Sequence, residues 1–86
     1  MNFWVHIGVR AEKSLKTFPA ADVRRILAAM EAMRLDPLSG DVVKLKGQGK
    51  RGFRRRVGDY RILFQIDFVR RWVIVSDVLR RTTTTY

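Results

Sequence analysis

Three arginines in the second half of the chain, Arg54, Arg56 and Arg61, have a spacing that could hold an anion. The pair Gly58-Asp59 separates two strand-like segments, and Gly-X is typical of the two-residue hairpin turn of type II′. This turn predicts that Arg56 lies directly opposite Arg61. Because side chains alternate along a strand and directly opposed residues share a face, all three arginines are expected on one face of a sheet.

The opposed arginines predict a bound anion. Like charges directly opposite each other destabilise a sheet, and a local cost of this kind is typical of a functional site. Guanidinium groups bind phosphate in a bidentate manner, which favours a phosphodiester as the ligand. The alternative is a structural counter-charge, supplied by Asp67, Asp77 or the carboxy terminus.

The charge of the whole chain also indicates a polyanionic partner. The 86 residues include 18 Lys and Arg against 8 Asp and Glu, a formal net charge of +10. Residues 44–86 hold twelve basic and three acidic groups, whereas residues 1–43 hold six and five. This asymmetry predicts contact with nucleic acid through the second half. The alternative is a solvated basic surface, and no long basic amphipathic helix favours a membrane surface there.

Missing residue types exclude several classes of function. The sequence has no cysteine, so it predicts no disulfide framework, thiolate nucleophile or zinc knuckle, and with one histidine a metal site would need carboxylates, which are few. No apolar run approaches the ~18 residues of a membrane span, and no signal peptide is visible. We therefore expect a single domain over residues 1–86, located in the cytoplasm.

Hydrophobic periodicity predicts the element order β-α-α-β-β-β-β. The expected strands are 2–7, 42–45, 53–57, 60–67 and 72–78, and the expected helices run from 10 to 17 and from Pro19 to the loop at Asp36-Pro37. An apolar stripe marks the buried side of the second helix: Val23, Ile26, Leu27, Met30 and Met33. The fold class is therefore α+β, with an N-terminal strand and an antiparallel helical hairpin packed on one face of a small, mostly antiparallel sheet.

The segment from Gly47 to Gly52 matches the pattern G-x-G-x-x-G. A dinucleotide-binding fold needs this pattern between a strand and a helix, with an acidic residue ~20 positions further on. Here the next segment, from Phe53 to Val57, has the composition of a strand. We therefore interpret the glycines as a loop that brings Lys46, Lys50 and Arg51 near a phosphate.

Four segments together resemble the RelE/ParE toxin superfamily of toxin–antitoxin pairs. They are 11–16 (AEKSLK), 36–41 (DPLSGD), 44–47 (KLKG) and 53–64 (FRRRVGDYRILF), of which the last is the most specific. The resemblance covers nearly the whole chain. It implies the fold deduced above.

The resemblance also implies an endoribonuclease. RelE-like toxins cut mRNA in the ribosomal A site by attack of the 2′-hydroxyl on the adjacent phosphate. Because the 2′-hydroxyl is itself the nucleophile, the resemblance implies no cofactor and no metal. By motif position the strand residues correspond to Arg54, Arg56 and Arg61, the arginine after the last strand to Arg80, and the C-terminal tyrosine to Tyr86. Arg56 and Arg61 would hold the scissile phosphate, Arg80 would neutralise or protonate the departing oxygen, and Tyr86 would stack on a base.

Some residues depart from the family pattern. RelE-like enzymes commonly place lysine where this chain has Arg54 or Arg56, and arginine stays protonated, so Tyr86 or Lys46 are the alternatives for a general base. Arg55 occupies a position that the family usually fills with an apolar residue, and we expect its side chain to extend to the solvent at the sheet end. Arg81 is expected to contact RNA beside Arg80, and His6 to be structural.

The resemblance also predicts the partners. A toxin of this family is silenced by a cognate antitoxin, so we expect an antitoxin that competes with mRNA for the basic face. The ParE-like branch shares the fold but poisons DNA gyrase without cutting RNA, and an inactive RNA-binding relative is the third alternative. The clustered basic strand residues favour the RNA-cleaving branch.

Overall fold

The computed structural model describes residues 2–46 and 52–81. Within them the chain forms β1 (Trp4–Ile7), α1 (Val9–Leu15), α2 (Ala20–Met33), β2 (Asp41–Lys44), β3 (Phe53–Val57), β4 (Tyr60–Asp67) and β5 (Trp72–Arg80). The predicted order is confirmed, β3 and β4 have the predicted bounds, and the other strands differ by one or two residues at an end. No helix in these ranges is long and apolar enough to cross a membrane.

The five strands form one sheet in the order β1-β5-β4-β3-β2. β1 pairs with β5 in parallel, with Trp4 beside Trp72, and the other neighbours are antiparallel. The expected mostly antiparallel sheet is confirmed. β1 and β2 are its edges, so the N-terminal strand lies against the last strand of the described chain.

Both helices pack on the same face of the sheet, as predicted. Helical positions i, i+3, i+4 and i+7 of α2 are buried, beginning at Ile26, so Leu27 lies beside the buried stripe rather than in it and remains 42% exposed. Leu27 instead lines an open groove of about 400 Å³ between α2 and β1, together with Trp4 and Ile7. The core joins the helices to β4 and β5 through Ala11, Ile26, Ala29, Met30, Met33, Tyr60, Ile62, Phe64, Val73, Val75 and Val78.

The β3–β4 hairpin has the predicted register. Val57 pairs with Tyr60, Arg56 with Arg61, and Phe53 with Phe64. Gly58 has φ +56°, whereas the φ of Asp59 is not positive, which is the pattern of a type II′ turn. A side chain at the position of Gly58 would be strained in this left-handed conformation, so the tight turn depends on glycine.

We predict that Gly58→Ala lowers the free energy of unfolding by about 1–2 kcal/mol, because an L side chain is strained at this φ. Urea denaturation followed by circular dichroism measures the change. Asp59→Ala is the matched control, since Asp59 has ordinary φ, and it should cost less. Equal losses in the two variants would contradict the assignment of the turn.

A β-bulge in β5 was not predicted. Leu63 pairs with Asp77, but the next residue of β4, Phe64, pairs with Val75, so Ser76 is an extra residue. The bulge changes the alternation of β5, because Val73 and Val75 are buried before it and Val78 after it. The even-numbered residues beyond Ser76 therefore face the helices.

β5 is also two residues longer than predicted. Arg80 pairs with Tyr60, and the backbone N–H of Arg81 donates to the carbonyl oxygen of Asp59 at 2.6 Å. The expectation that Arg80 follows the last strand is therefore wrong, because the hairpin turn offers pairing partners up to this point. The end of β5 is fixed to the β3–β4 turn.

The G-x-G-x-x-G segment does not precede a helix. Residues 47–51 lie outside the described residues, but Gly52 leads directly into strand β3. The backbone N–H of Leu45 donates to the carbonyl oxygen of Gly52 at 2.9 Å, which closes β2 and β3 as a hairpin. The prediction against a dinucleotide-binding unit is confirmed.

Candidate functional site

The face of the sheet opposite the helices, which we call the open face, carries the predicted arginines. By the strand register this face presents Arg54 and Arg56 on β3, Arg61, Leu63 and Gln65 on β4, and Trp72 and Ile74 on β5. The cause is the alternation of side chains, since their neighbours Ile62, Phe64 and Val73 are buried under the helices. No described helix covers the open face.

Arg56 and Arg61 are direct neighbours on the open face, and both are exposed. Among residues 2–46 and 52–81 the ion pairs join other groups, and none of them includes Arg54, Arg56 or Arg61. Two of the suggested counter-charges are engaged elsewhere. Asp67 pairs with Arg70, with Nη1 and Oδ2 3.3 Å apart, and Asp77 accepts a hydrogen bond of 2.9 Å from the Ser14 hydroxyl.

Asp41 is a neighbour of the arginines that sequence reasoning missed. It pairs with Arg56 across β2 and β3, so Arg56 lies between a carboxylate on one side and Arg61 on the other. The hydrophobic pattern could not reveal this, because the long connection from β2 to β3 leaves their register open. One carboxylate offsets only part of the charge of three arginines, and the open face keeps a net positive charge.

Arg54 extends the positive charge along β3. It is half-buried, lies between Val43 and Leu63 in the register, and its Nε has no hydrogen-bond partner within the described residues. Burial of the stem limits the positions open to the guanidinium. The charge of Arg54 is therefore held over the sheet.

Arg55 turns inwards. Its Nη1 donates to the carbonyl oxygen of Ala29 in α2 at 3.1 Å, and its guanidinium lies against Gly40. The expectation that its side chain extends to the solvent is wrong, because α2 supplies an acceptor beside the apolar face of the sheet. Arg55 consequently ties β3 to α2 and is not part of the open face.

Tyr60 and Arg80 form a packed unit at the end of the sheet. The Tyr60 hydroxyl donates to Oδ2 of Asp22 at 2.6 Å, and the Arg80 guanidinium carbon lies 5.8 Å from the centroid of the Tyr60 ring. The hydrogen bond to Asp22 and burial raise the pKa of Tyr60 above its usual value of 10.0, although the charge of Arg80 acts in the opposite direction. Tyr60 is therefore a protonated, buried link from β4 to α2.

Arg80 stands at the edge between the two faces of the sheet. Its pairing with Tyr60 directs it towards the helix side, yet it lines an open depression of about 310 Å³ together with Arg61, Leu79 and Arg81. The structure thus brings Arg61, Arg80 and Arg81 to one concavity. Such a set of cations around a shallow concavity can hold a phosphate and oppose the negative charge that develops on it.

Arg25 of α2 is another cation at this end of the sheet. Its guanidinium lies against Gly58, and its Nη1 is 3.9 Å from Oδ1 of Asp22. The turn of the hairpin therefore lies next to charges from α2 as well as from β5. No signal short of the tertiary packing could have shown this.

Some predicted site residues are not brought to this end of the sheet. Lys46 lies two residues beyond the end of β2, on the side away from Asp41, and five residues of extended chain span about 16 Å. Lys46 is thus too far from Arg56 to serve as a base there. Lys50, Arg51 and Tyr86 lie outside the described residues, so their roles stay predictions.

The described residues also include no group of three His, Asp or Glu side chains that could hold a metal ion. The cationic groups around Arg56 and Arg61 are guanidiniums, which donate hydrogen bonds and do not ligate metals. The chemistry that this arrangement can support is anion binding and charge stabilisation.

We predict that Tyr60→Phe makes the free energy of unfolding less dependent on pH in the alkaline range. Since the folded state raises the pKa of Tyr60, its contribution is present below the usual value of 10.0 and is lost as the pH rises through the higher folded value. The unfolding free energy of the unsubstituted protein should thus fall more steeply above pH 10 than that of Tyr60→Phe. Parallel curves from denaturation at a series of pH values would contradict the Tyr60–Asp22 hydrogen bond.

Comparison with known proteins shows a sequence similarity to a RelE protein. No protein-family model matches the sequence. The RelE1 protein of Methanocaldococcus jannaschii is 27% identical over 84 residues, which cover 94% of this chain and 92% of the relative.

Solved structures show the same fold. RelE in the RelE–RelB complex of Pyrococcus horikoshii has a TM-score of 0.83 at 27% identity, with 98% of this chain and 100% of that chain covered. A chain of the Mycobacterium tuberculosis RelBE2 toxin–antitoxin complex also gives 0.83, at 24% identity, with 94% and 100% covered. Free Escherichia coli RelE gives 0.70 at 18% identity, with 93% and 84% covered.

The two helices on a five-stranded, mostly antiparallel sheet are thus the fold of RelE-type toxins. The chain therefore resembles RelE-type toxins in sequence as well as in fold, as the four sequence segments predicted.

Proposed function

We propose that the protein is the toxin of a type II toxin–antitoxin pair and an endoribonuclease that cleaves mRNA in the ribosomal A site. The observation that carries the proposal is the Arg56–Arg61 pair, in which two exposed guanidiniums are directly opposed on the open face with no ion pair among the described residues. A phosphodiester is the anion that this pair fits. Because the substrate is translated mRNA, the proposal places the protein in the cytoplasm.

The proposed reaction needs no external nucleophile. The 2′-hydroxyl loses its proton and its oxygen attacks the adjacent phosphorus. A cyclic 2′,3′-phosphate forms as the bond to the 5′-oxygen breaks, and that oxygen takes up a proton. Arg56 and Arg61 hold the phosphate and stabilise the extra negative charge of the transition state, and Arg54 positions the neighbouring backbone.

The depression at the end of β5 suits the leaving group. Arg80 and Arg81 line it together with Arg61, so a phosphate held by Arg61 has further cations within reach of its leaving oxygen. The cation–π contact with Tyr60 restrains Arg80, which lowers the entropy lost when it contacts the substrate. Tyr86 keeps the role that the resemblance implies, to stack on a base, and it is our candidate for the general base that accepts the 2′ proton.

We predict that Arg56→Ala and Arg61→Ala each reduce mRNA cleavage by about 10²–10³-fold, the usual loss when one positioned donor to a developing charge is removed. The measurement is a map of mRNA 5′ ends in cells that express each variant, repeated with purified ribosomes and with free mRNA. Arg10→Ala is the matched control, since Arg10 is an exposed arginine of α1 on the other side of the sheet.

Three results would contradict the proposal. Identical 5′ ends with and without the open-face arginines would show that these residues do not act in cleavage. DNA breaks that depend on gyrase, with intact mRNA, would indicate a ParE-like activity. Binding of RNA without cleavage, with an affinity that falls as salt is raised, would indicate an inactive relative.

We further infer that an antitoxin inhibits the protein by covering the open face. Relatives of known structure were solved as RelE–RelB complexes. A partner of opposite charge is drawn to the open-face arginines. The groove between α2 and β1 adds an apolar surface at the adjoining edge of the sheet, since Trp4 is 66% exposed and Leu27 42%.

We predict that the antitoxin and RNA exclude each other. The product of the neighbouring reading frame, purified in complex with this chain, should reduce the affinity for a single-stranded RNA at least tenfold relative to the free chain. Fluorescence anisotropy with a labelled oligonucleotide measures this. A complex that binds RNA as tightly as the free chain would show that inhibition does not act through the open face.

A further inference from the structure

A second group of side chains lies on the open face, at the far end from the hairpin turn. Trp72 begins β5 opposite Asp67, and the parallel register places Trp4 and His6 of β1 on the same face. The rings of His6 and Trp72 are 5.1 Å apart at 61°. We call Trp72, His6 and Arg70 the aromatic platform.

The aromatic platform is accessible although its rings are large. Trp72 is 38% exposed and neighbouring Trp4 is 66% exposed, while the apolar residues behind them, Val73 and Val75, are fully buried. The platform is therefore not needed to complete the core under the helices. Contiguous exposed aromatic surface of this kind is typical of a binding site.

Within the aromatic platform, the guanidinium of Arg70 is held over the ring of Trp72. The guanidinium carbon of Arg70 lies 5.5 Å from the Trp72 ring centroid, and Arg70 is held by Asp67. Asp67 in turn accepts hydrogen bonds from the backbone N–H groups of Val69 and Arg70, at 3.0 and 2.9 Å. The loop thus orients Arg70, and an oriented guanidinium and indole offer the planar surfaces on which unpaired bases stack.

The aromatic platform and the Arg56–Arg61 pair lie near opposite ends of β4, on the same face of the sheet. β4 runs from Arg61 to Asp67, which places the two sites about 20 Å apart on the same face. Between them the face presents Leu63, Gln65 and Ile74, and the one acidic residue in that interval by register, Asp77 opposite Leu63, has its carboxylate engaged by the Ser14 hydroxyl of α1. An extended single strand whose phosphate is held at Arg61 can therefore reach Trp72 with a base a few nucleotides away.

We propose that the aromatic platform is a second RNA subsite, which stacks an unpaired base of the strand whose phosphate is held by Arg56 and Arg61. The inference rests on the proposed function for the identity of the ligand and adds a contact that reads bases rather than phosphates. Stacking on an aromatic side chain is tolerant of sequence. The subsite therefore contributes to the affinity for RNA and to the position of the bound strand more than to discrimination between bases.

The test uses the full chain, a short single-stranded oligouridylate and inorganic polyphosphate of similar charge. Trp72→Ala should weaken oligouridylate binding on the order of 10- to 100-fold, because stacking is lost, and should leave polyphosphate binding unchanged. Trp72→Phe retains a ring and should recover most of the affinity. Arg61→Ala should weaken both ligands, and Arg10→Ala neither.

A spectroscopic measurement separates stacking from a structural role. In a Trp4→Phe background Trp72 is the only tryptophan, so its fluorescence should be quenched by oligouridylate and not by polyphosphate. Unchanged RNA affinity of Trp72→Ala, or equal losses for the two ligands, would overturn the subsite. A loss of antitoxin binding without a loss of RNA binding would also overturn it, and would assign the platform to a protein partner.

The two proposals fail separately. If the unsubstituted protein cleaves no mRNA but binds oligouridylate through Trp72, the subsite stands and the endonuclease proposal falls. If mRNA is cleaved at the same positions and with the same affinity by Trp72→Ala, the endonuclease proposal stands and the subsite falls.

Discussion

The two-residue turn at Gly58-Asp59 is the constraint on which the rest of the structure depends. A type II′ turn leaves the strands on either side no freedom of register, so it decides at once which residues of β3 and β4 face the helices. The same register buries Tyr60, Ile62 and Phe64 and opposes Arg56 to Arg61. Core formation and the electrostatic cost of the open face are therefore two results of one local geometry.

The end of β5 adds a concave surface beside this hairpin, which Arg80 and Arg81 line together with Arg61. The bulge at Ser76 turns Arg80 towards Tyr60, and the backbone contact of Arg81 with Asp59 fixes the strand end to the turn. Arg80 is thereby held by an aromatic ring and Arg25 by Asp22, so the cations around the turn are positioned by the helices as well as by the sheet. The repulsion among these cations is offset by the apolar packing behind them.

Sequence patterns predicted the features that depend on local chemistry. The register of β3 and β4 follows from two turn residues, and the burial of Ile26, Met30 and Met33 follows from helical spacing. Asp41 beside Arg56 could not be predicted, because a long connection joins β2 to β3. The bulge at Ser76 has no sequence signal of its own, and the inward turn of Arg55 needs an acceptor that only the packed α2 provides.

The parallel pairing of β1 with β5 has a consequence for synthesis of the chain. β5 is made last among the described strands, yet it lies between β1 and β4, and Trp4 cannot pair until Trp72 is available. A nascent chain that lacks β5 has helices without the sheet surface they cover, and contacts of such wide separation form slowly. The sheet is therefore completed only after β5 has left the ribosome, and a nascent chain that ends before β5 lacks the cation cluster to which Arg80 and Arg81 belong.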